Sequence, residues 1–246
     1  MKNIKLLFFF VAFAVFGCSS DSDSSSQNGN ADGTGGSLAI FALSGNYLYT
    51  VDNESLNVFS LLNETMPVKV NDVTIGWNIE TLFSNGEFLF VGSRTGMFIY
   101  SIQNPENPVL LSQVEHFTAC DPVVSNGTHS FVTLHSNTNC GNNLNVLNVY
   151  DTSNPNYPIL IHTRNLVAPK GMGLYGNYLF VCDDVIKIFD ITNPENPVLA
   201  KSLNVASFDV IIEGNDLYAI GGSNLSRYSL NPTNIEDIDL QSQISF

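Results

Sequence analysis

Basic residues are scarce in this sequence, and their scarcity argues against two large classes of partner. Lysine and arginine together number 9 among 246 residues, against 23 aspartates and glutamates, so the formal net charge is −14. Nucleic-acid binding depends on cationic contacts with phosphate, and peripheral attraction to anionic lipid depends on cationic side chains as well. We therefore expect no nucleic-acid partner and no electrostatic attachment to a membrane.

Long apolar runs and helical patterns are also missing, except at the N-terminus. Residues 6–17 form an apolar run of twelve, which is too short to cross a bilayer comfortably as a helix. Lys2 and Lys5 precede this run and the junction Gly17-Cys18 ends it, an arrangement that resembles a bacterial lipoprotein signal with its lipobox. The resemblance implies that residues 1–17 are a signal peptide and that Cys18 becomes a lipidated first residue. The alternative is an ordinary secretory signal with an incidental cysteine.

The segment that follows contains no large apolar side chain. Residues 18–36 are rich in serine, aspartate, asparagine and glycine, a composition that predicts a disordered tether. Asp21 and Asp23 stand close to Cys18 and resemble the acidic surface-export signals of Bacteroidetes lipoproteins. The resemblance implies an anchor in the outer membrane, with the cell surface favoured over a periplasm-facing location. A solvated spacer would have a similar composition.

Five copies of one pattern fill residues 37–246. Each copy has a strand, a Gly-led turn, an aromatic-rich strand, a third strand and a turn rich in asparagine and proline. The turn glycines are Gly45, Gly86, Gly127, Gly176 and Gly214, at spacings of 41, 41, 49 and 38 residues. A period near forty with several short strands per unit is typical of a β-propeller, each unit being one blade. The pattern predicts an all-β domain, a five-bladed β-propeller of four-stranded antiparallel blades.

Two stretches of the fourth repeat and one of the third resemble the bacterial LVIVD-repeat propellers. They are residues 186–194 (Ile-Lys-Ile-Phe-Asp-Ile-Thr-Asn-Pro), residues 176–181 (Gly-Asn-Tyr-Leu-Phe-Val) and residues 149–155 (Val-Tyr-Asp-Thr-Ser-Asn-Pro). The resemblance implies a propeller on an exported protein, often a lipoprotein and mostly of unknown function. It brings no catalytic residues with it, and we expect no cofactor.

The four cysteines have different expected roles. Cys120 and Cys140 both lie where the third repeat departs from the pattern, so we predict a disulfide between them in an oxidising compartment. The alternatives are free thiols or a metal site with the nearby histidines, which are His116, His129 and His135. No Cys-x-x-Cys spacing supports a metal site, and strand alternation scatters the histidines. Cys182 ends a strand and is interpreted as a small buried apolar residue.

Propellers commonly bind their partners where the axial channel opens, and polar or aromatic residues lead into several of the inner strands. These candidate rim residues are Trp77, Glu80, Asp121, Lys170 and Asp209. One exposed aromatic beside acids and amides suits contact with a sugar or a peptide, so we predict a non-catalytic scaffold that binds an envelope protein or glycan. The alternative function is a glycan-active hydrolase with paired carboxylates, Glu80 and Asp121, at the axis. A purely structural role would pack Trp77 between blades and use the acids as caps.

Overall fold

Twenty strands follow one another in the order that the repeat predicts. The computed structural model describes residues 36–63, 65–115, 122–135 and 144–246, and the residues it describes form no helix. Successive groups of four strands make five antiparallel sheets, and within each sheet neighbours in sequence are neighbours in space. The prediction of a five-bladed β-propeller with four-stranded antiparallel blades is confirmed. None of the described segments is a helix that could cross a membrane.

The strands are numbered in chain order, four to a blade. Blade 1 contains β1 (Phe41–Ser44), β2 (Tyr47–Val51), β3 (Ser55–Ser60) and β4 (Val68–Thr74). Blade 2 contains β5 (Ile79–Asn85), β6 (Phe88–Ser93), β7 (Gly96–Ser101) and β8 (Val109–Glu115). Blade 3 contains β9 (Val123–Ser125), β10 (His129–Leu134), β11 (Val146–Asp151) and β12 (Ile159–Asn165). Blade 4 contains β13 (Met172–Tyr175), β14 (Tyr178–Cys182), β15 (Ile186–Asp190) and β16 (Val198–Leu203). Blade 5 contains β17 (Asp209–Glu213), β18 (Asp216–Ile220), β19 (Asn224–Leu230) and β20 (Ile238–Ser245).

The first strand of every blade lines the central axis. β1 contacts β5, β5 contacts β9, β9 contacts β13, and β13 contacts β17, so these five strands form the inner ring. A cavity of about 60 Å³ lies inside the ring, and its walls are mostly apolar side chains: Phe83, Val124, Met172, Leu174, Val210 and Ile212. The axis is therefore a narrow apolar channel that the inner strands nearly fill.

Two kinds of turn repeat around one face of the ring, which we call the turn face. The first kind joins the first and second strands, and its glycines all have positive φ, namely +54° at Gly45, +56° at Gly86, +96° at Gly127, +54° at Gly176 and +57° at Gly214. This is the left-handed region that a side chain disfavours, as the sequence pattern predicts. The second kind joins the third and fourth strands. Each of these turns is closed by an N–H···O=C bond across four residues, from Met66 to Asn63, Asn107 to Asn104, Tyr157 to Asn154, Asn196 to Asn193 and Asn234 to Asn231.

The opposite face carries the loops that lead into the inner strands and the turns between second and third strands; we call it the mouth face. Antiparallel pairing brings these two sets together, as where Ile79 at the start of β5 pairs with Ser93 at the end of β6. The inner strand of blade 1 begins only at Phe41, although the repeats start at residue 37. Residues 36–39, the axial segment, instead form a turn closed by a 2.9 Å bond from the Ala39 N–H to the Gly36 carbonyl.

Cys182 at the end of β14 is fully buried and free, which confirms its interpretation as a small core residue. Burial raises the pKa of its thiol far above the ordinary value, with a further contribution from the charge of Asp209. Since the thiolate is the reactive species, we expect Cys182 to resist iodoacetamide at pH 8 in the folded protein and to react after unfolding in urea. Peptide mass spectrometry would measure both rates, and equal rates in the two states would contradict the prediction.

Candidate functional site: the mouth face

Trp77 lies in the loop that leads into β5, and main-chain bonds hold this loop from both sides. The Glu54 carbonyl accepts the N–H of Ile75 at 2.9 Å, and the Asn78 carbonyl accepts the N–H of Arg94 at 3.1 Å. Asn78 has a φ of 60°, a left-handed conformation that asparagine tolerates better than most residues. The Trp77 side chain is 72 % exposed, so it does not pack between blades.

Glu80 is engaged by a neighbouring cation. The Arg94 Nε donates to Glu80 Oε1 at 2.7 Å. The Arg94 side chain is 34 % exposed and the Glu80 side chain is 25 % exposed. Both residues stand on blade 2, Glu80 in β5 and Arg94 just after β6. The pair gives the rim beside Trp77 a fixed polar patch in which the carboxylate charge is balanced.

Lys170 lies on the mouth face before β13 and is exposed. Its main chain is fixed, because its N–H donates to the Cys182 carbonyl at 2.7 Å and its carbonyl accepts from Thr133 Oγ1 at 2.6 Å. Lys170 forms no ion pair with any residue that the structure describes, so its ammonium group is exposed on the rim for a partner. Asp121, which sequence reasoning places beside it, lies outside the described residues.

Asp209 does not belong to the exposed rim. It is only 7 % exposed, and its carboxylate accepts the N–H of Leu38 from the axial segment and the N–H of Val210 at 2.9 Å. Burial raises the pKa of Asp209 to about 6, although these two N–H groups oppose the shift. The sequence-based assignment of Asp209 to an accessible rim is therefore corrected, because the chain's own axial segment covers this carboxylate.

The axial segment crosses the mouth of the channel and bonds to three other blades. Ser37 Oγ accepts the N–H of Met172 in blade 4 at 2.6 Å, and the Ala39 carbonyl accepts the N–H of Leu82 in blade 2 at 2.8 Å. Leu38 supplies the bond to Asp209 in blade 5. Ser37 is fully buried. Residues at the boundary of the predicted tether thus tie the inner ends of blades 2, 4 and 5 to blade 1.

Sequence reasoning missed Asp183, which shapes the loop before Lys170. Its side chain is buried and accepts the N–H groups of Val167 at 3.0 Å and Ala168 at 2.5 Å. Lys187 lies 2.6 Å from Asp183 and balances its charge. The sequence does contain an indication of this contact. Lys187 follows Asp183 by four residues, and an acid and a base on the two sides of a hairpin turn can pair across it.

His129 and His135, the two described histidines of the predicted cluster, do not converge on a metal site. His129 opens β10 and His135 follows its last residue, so the length of the strand, roughly 20 Å, separates them. In the described ranges of the chain, no three His, Cys, Asp or Glu side chains are grouped closely enough to hold a metal ion. His116, Cys18, Cys120 and Cys140 lie outside those ranges, so the lipidation and the disulfide stay predictions.

The mouth face therefore combines an exposed indole, an exposed ammonium and a balanced ion pair around a channel that the axial segment closes. These groups can provide one apolar anchor and several directional polar contacts. Glu80 is paired with Arg94 and Asp209 is covered, so these two carboxylates do not form an open acid–base pair.

Comparison with known families identifies the repeat. The LVIVD repeat model matches residues 35–68 and residues 170–205, which hold most of blade 1 and blade 4. The first and fourth repeats of the chain thus match the LVIVD repeat, as the resemblance implies. No curated protein matches this chain in sequence.

Solved structures share the fold at low sequence identity. A functionally unknown protein from Desulfotomaculum acetoxidans DSM 771 superposes with a TM-score of 0.67 at 12% identity, covering 81% of this chain and 66% of that one. A protein from Lactobacillus plantarum gives 0.66 at 10% identity, covering 80% and 67%. The periplasmic gluconolactonase PpgL from Pseudomonas aeruginosa gives 0.62 at 13% identity, covering 82% and 68%. This chain spans about two thirds of the length of each, and the likeness concerns the fold alone.

Proposed function

Because the protein is a five-bladed propeller that carries LVIVD repeats, we propose that it is a non-catalytic scaffold that binds a protein or glycan of the cell envelope through its mouth face. The observation that carries this proposal is Trp77, 72 % exposed on a loop that main-chain bonds hold in place. Because the loop is ordered before binding and an indole has only two rotatable side-chain bonds, Trp77 loses little conformational entropy when a partner covers it. Lys170 and the Glu80–Arg94 pair supply polar contacts around that anchor.

The proposed location follows from the N-terminal sequence. A lipid on Cys18 would hold the protein at the outer membrane, with the propeller at the cell surface, and residues 18–36 would act as the tether. The tether would join the propeller at the axial segment, on the mouth face. A partner of this face would accordingly be a component close to the membrane.

The arrangement of the carboxylates supports binding over the alternative of a glycan-active hydrolase. Glycosidases of the two-carboxylate type need both groups free to act on opposite sides of one bond. Of the two carboxylates named for that alternative, Glu80 is held by Arg94, and Asp121 lies outside the described residues. The other acid of the predicted rim, Asp209, is covered by the axial segment. Hydrolysis of a glycan panel by the purified protein, stopped by Glu80→Gln or Asp121→Asn, would favour the hydrolase instead.

We expect Trp77→Ala combined with Lys170→Ala to lower the affinity for an envelope partner by about tenfold or more while folding is unchanged. Both side chains are exposed, so their truncation removes contact area without opening the core. Partners would be captured from isolated outer membranes by crosslinking, identified, purified and titrated against both forms of the protein.

Tyr157→Ala with Lys69→Ala is the matched control for this experiment. Tyr157 is 74 % exposed, like Trp77, but lies on the turn face, and Lys69 lies on the outer strand β4. Equal loss of affinity in both double variants would contradict a site on the mouth face.

We expect Cys18→Ala to abolish lipidation, because acylation of a bacterial lipoprotein takes place on the cysteine of the lipobox. Intact-mass analysis of the membrane fraction should show a diacyl or triacyl mass on the wild-type chain and none on the variant. Cys182→Ala serves as the control and should keep the lipid mass. An unchanged mature mass in Cys18→Ala would contradict the proposed anchor.

A further inference from the structure

A second concave site lies on the turn face, in the crevice between blades 4 and 5. The cavity has a volume of about 480 Å³, within the range typical of small-molecule sites. The side chains that line it are Tyr175, Asn177, Tyr178, Thr192, Asn215 and Pro232. These residues lie in or next to the Gly turns and Asn-Pro turns of the two blades, so the crevice is on the opposite side of the propeller from Trp77.

The chemistry of the lining excludes ionic recognition. No lysine, arginine, aspartate or glutamate is among the lining residues, so neither a phosphate nor an ammonium group would find a counter-charge there. Two phenol rings instead stand beside two amides and a hydroxyl. Aromatic faces cover apolar C–H surfaces, while amides and hydroxyls exchange hydrogen bonds with hydroxyl groups. A ligand that presents both a C–H face and several neutral hydroxyls is a carbohydrate.

A hydrogen bond across the crevice fixes one of the amides. The Tyr175 hydroxyl of blade 4 donates to Asn215 Oδ1 of blade 5 at 2.7 Å. The Asn215 Nδ2 donates to no residue in the described part of the chain, so it remains a donor for a ligand in the cavity. The Tyr178 hydroxyl and the Asn177 side chain have no hydrogen-bond partner in the described part of the chain, so they are available as well.

The same position in another blade shows why this crevice is open. Tyr47 occupies in blade 1 the register position of Tyr178 in blade 4, two residues after the turn glycine. Its hydroxyl donates to Glu106 Oε1 in the Asn-Pro turn of the next blade, at 3.1 Å. In blade 5 the residue at the position of Glu106 is Thr233, whose hydroxyl bonds back to Asn231 Oδ1 at 2.8 Å. The shorter side chain leaves Tyr178 without an interblade partner.

We propose that the crevice between blades 4 and 5 is a binding site for a neutral carbohydrate. One sugar ring stacks on the Tyr178 face, and its hydroxyls bond to Asn177, to Asn215 Nδ2 and to the Tyr175 hydroxyl oxygen. The site is independent of the mouth face and of the partner proposed for it. A protein bound at Trp77 and a glycan bound at Tyr178 could therefore be held at the same time.

The test titrates the full-length protein with neutral tetrasaccharides of β-1,4-glucose, α-1,4-glucose, β-1,4-mannose and β-1,4-xylose, and with an oligogalacturonate of the same length. Calorimetry and saturation-transfer NMR would report binding up to about 10 mM ligand. We expect at least one neutral sugar to bind and the charged one to bind at least about tenfold more weakly. Failure of all four neutral sugars, or equal binding of the oligogalacturonate, would overturn the proposal.

Two variants locate the site. Tyr178→Ala removes the stacking face, and Thr233→Glu installs the carboxylate that blade 2 uses to hold Tyr47. Both should weaken sugar binding by about tenfold or more. Thr233→Glu should do so without loss of folding, since it restores a contact that the chain already makes elsewhere, and this keeps the test valid if Tyr178→Ala folds poorly.

Tyr47→Ala is the matched control, because it removes the same side chain from a position where Glu106 engages it. It should leave sugar affinity unchanged, and so should Trp77→Ala with Lys170→Ala. Equal weakening by Tyr47→Ala and Tyr178→Ala would overturn the location. If Trp77→Ala with Lys170→Ala abolishes sugar binding and Thr233→Glu does not, the sugar binds at the mouth face. That result would also overturn the location in the crevice.

Discussion

Gly171→Ala is expected to lower the free energy of unfolding by about 3 kcal/mol. A Cβ on Gly171 would lie 2.1 Å from Asp209 Oδ1 and 2.8 Å from the Asp209 Cα. The second contact is with main chain, so a side-chain rotation cannot relieve it. Blade 5 would have to move away from blade 4 at the point where the axial segment joins them. For a domain of this size, the melting temperature should fall by roughly 6–12 °C.

Gly222→Ala is the control for this measurement. Gly222 lies in the turn before β19, and a Cβ there would meet no atom within 4 Å. Its melting temperature should stay within about 2 °C of the wild-type value, because the new methyl group projects into open space. A Gly171→Ala protein as stable as Gly222→Ala would contradict the close packing of Asp209 against blade 4.

Asp209→Asn is expected to stabilise the protein at neutral pH and to have little effect in acid. The pKa of Asp209 is about 6 in the folded protein against an ordinary value of 3.8. A raised pKa means that the folded state holds the proton more tightly, so this residue's contribution to stability is fully present below pH 4 and is lost as the pH rises through 6. The difference corresponds to about 3 kcal/mol. Asparagine keeps an acceptor for the Leu38 N–H and carries no charge.

Urea unfolding at pH 4 and pH 7.5 would measure the two free energies for each protein. Asp52→Asn is the control with the opposite sign, because N–H groups of Glu54 and Ser55 lower the pKa of Asp52. Its contribution is present at neutral pH and is lost as the pH falls, so the substitution should destabilise the protein at pH 7.5. An Asp209→Asn effect that is the same at both pH values would contradict a buried, ionised Asp209.

The sequence predicts the blades well because each blade is determined by local rules. A glycine at positive φ and a proline-rich turn act over four or five residues, and five copies in register leave few other arrangements. The same rules predict a fourth strand in the last blade, and it extends over Ile238–Ser245. Even blade 1, whose turn has a single proline, Pro67, forms the same closed turn from Met66 to Asn63.

The channel mouth could not be predicted in the same way because its contacts are distant in sequence. Ser37 meets Met172 and Leu38 meets Asp209, pairs separated by more than a hundred residues. Gly36 and Ser37 have the composition of a flexible tether, and no local pattern marks them as buried. Trp77 and Lys170 were assigned to this face because strand direction alone determines which loops share it.

One sequence difference marks the crevice between blades 4 and 5, but its meaning depends on a contact that only the structure shows. Thr233 stands where the second and fourth repeats have glutamate, Glu106 and Glu195. Because the repeats differ at many positions, this one difference does not indicate a site until the hydrogen-bond partner of Glu106 is known. That partner is Tyr47. Tyr178 occupies the same position in blade 4, and its hydroxyl has no glutamate to bond to in blade 5.

The axial segment also determines how the propeller would respond to a mechanical load. A pull on the chain before residue 36 is applied at the hub, where Ser37, Leu38 and Ala39 each bond to a different blade. The force is therefore shared among three blades instead of peeling one edge strand from its sheet. A body held at its hub can also turn about its own axis without changing its distance from the point of attachment. Attachment at the central axis thus places all five blades at a similar distance from the point where the chain enters the propeller.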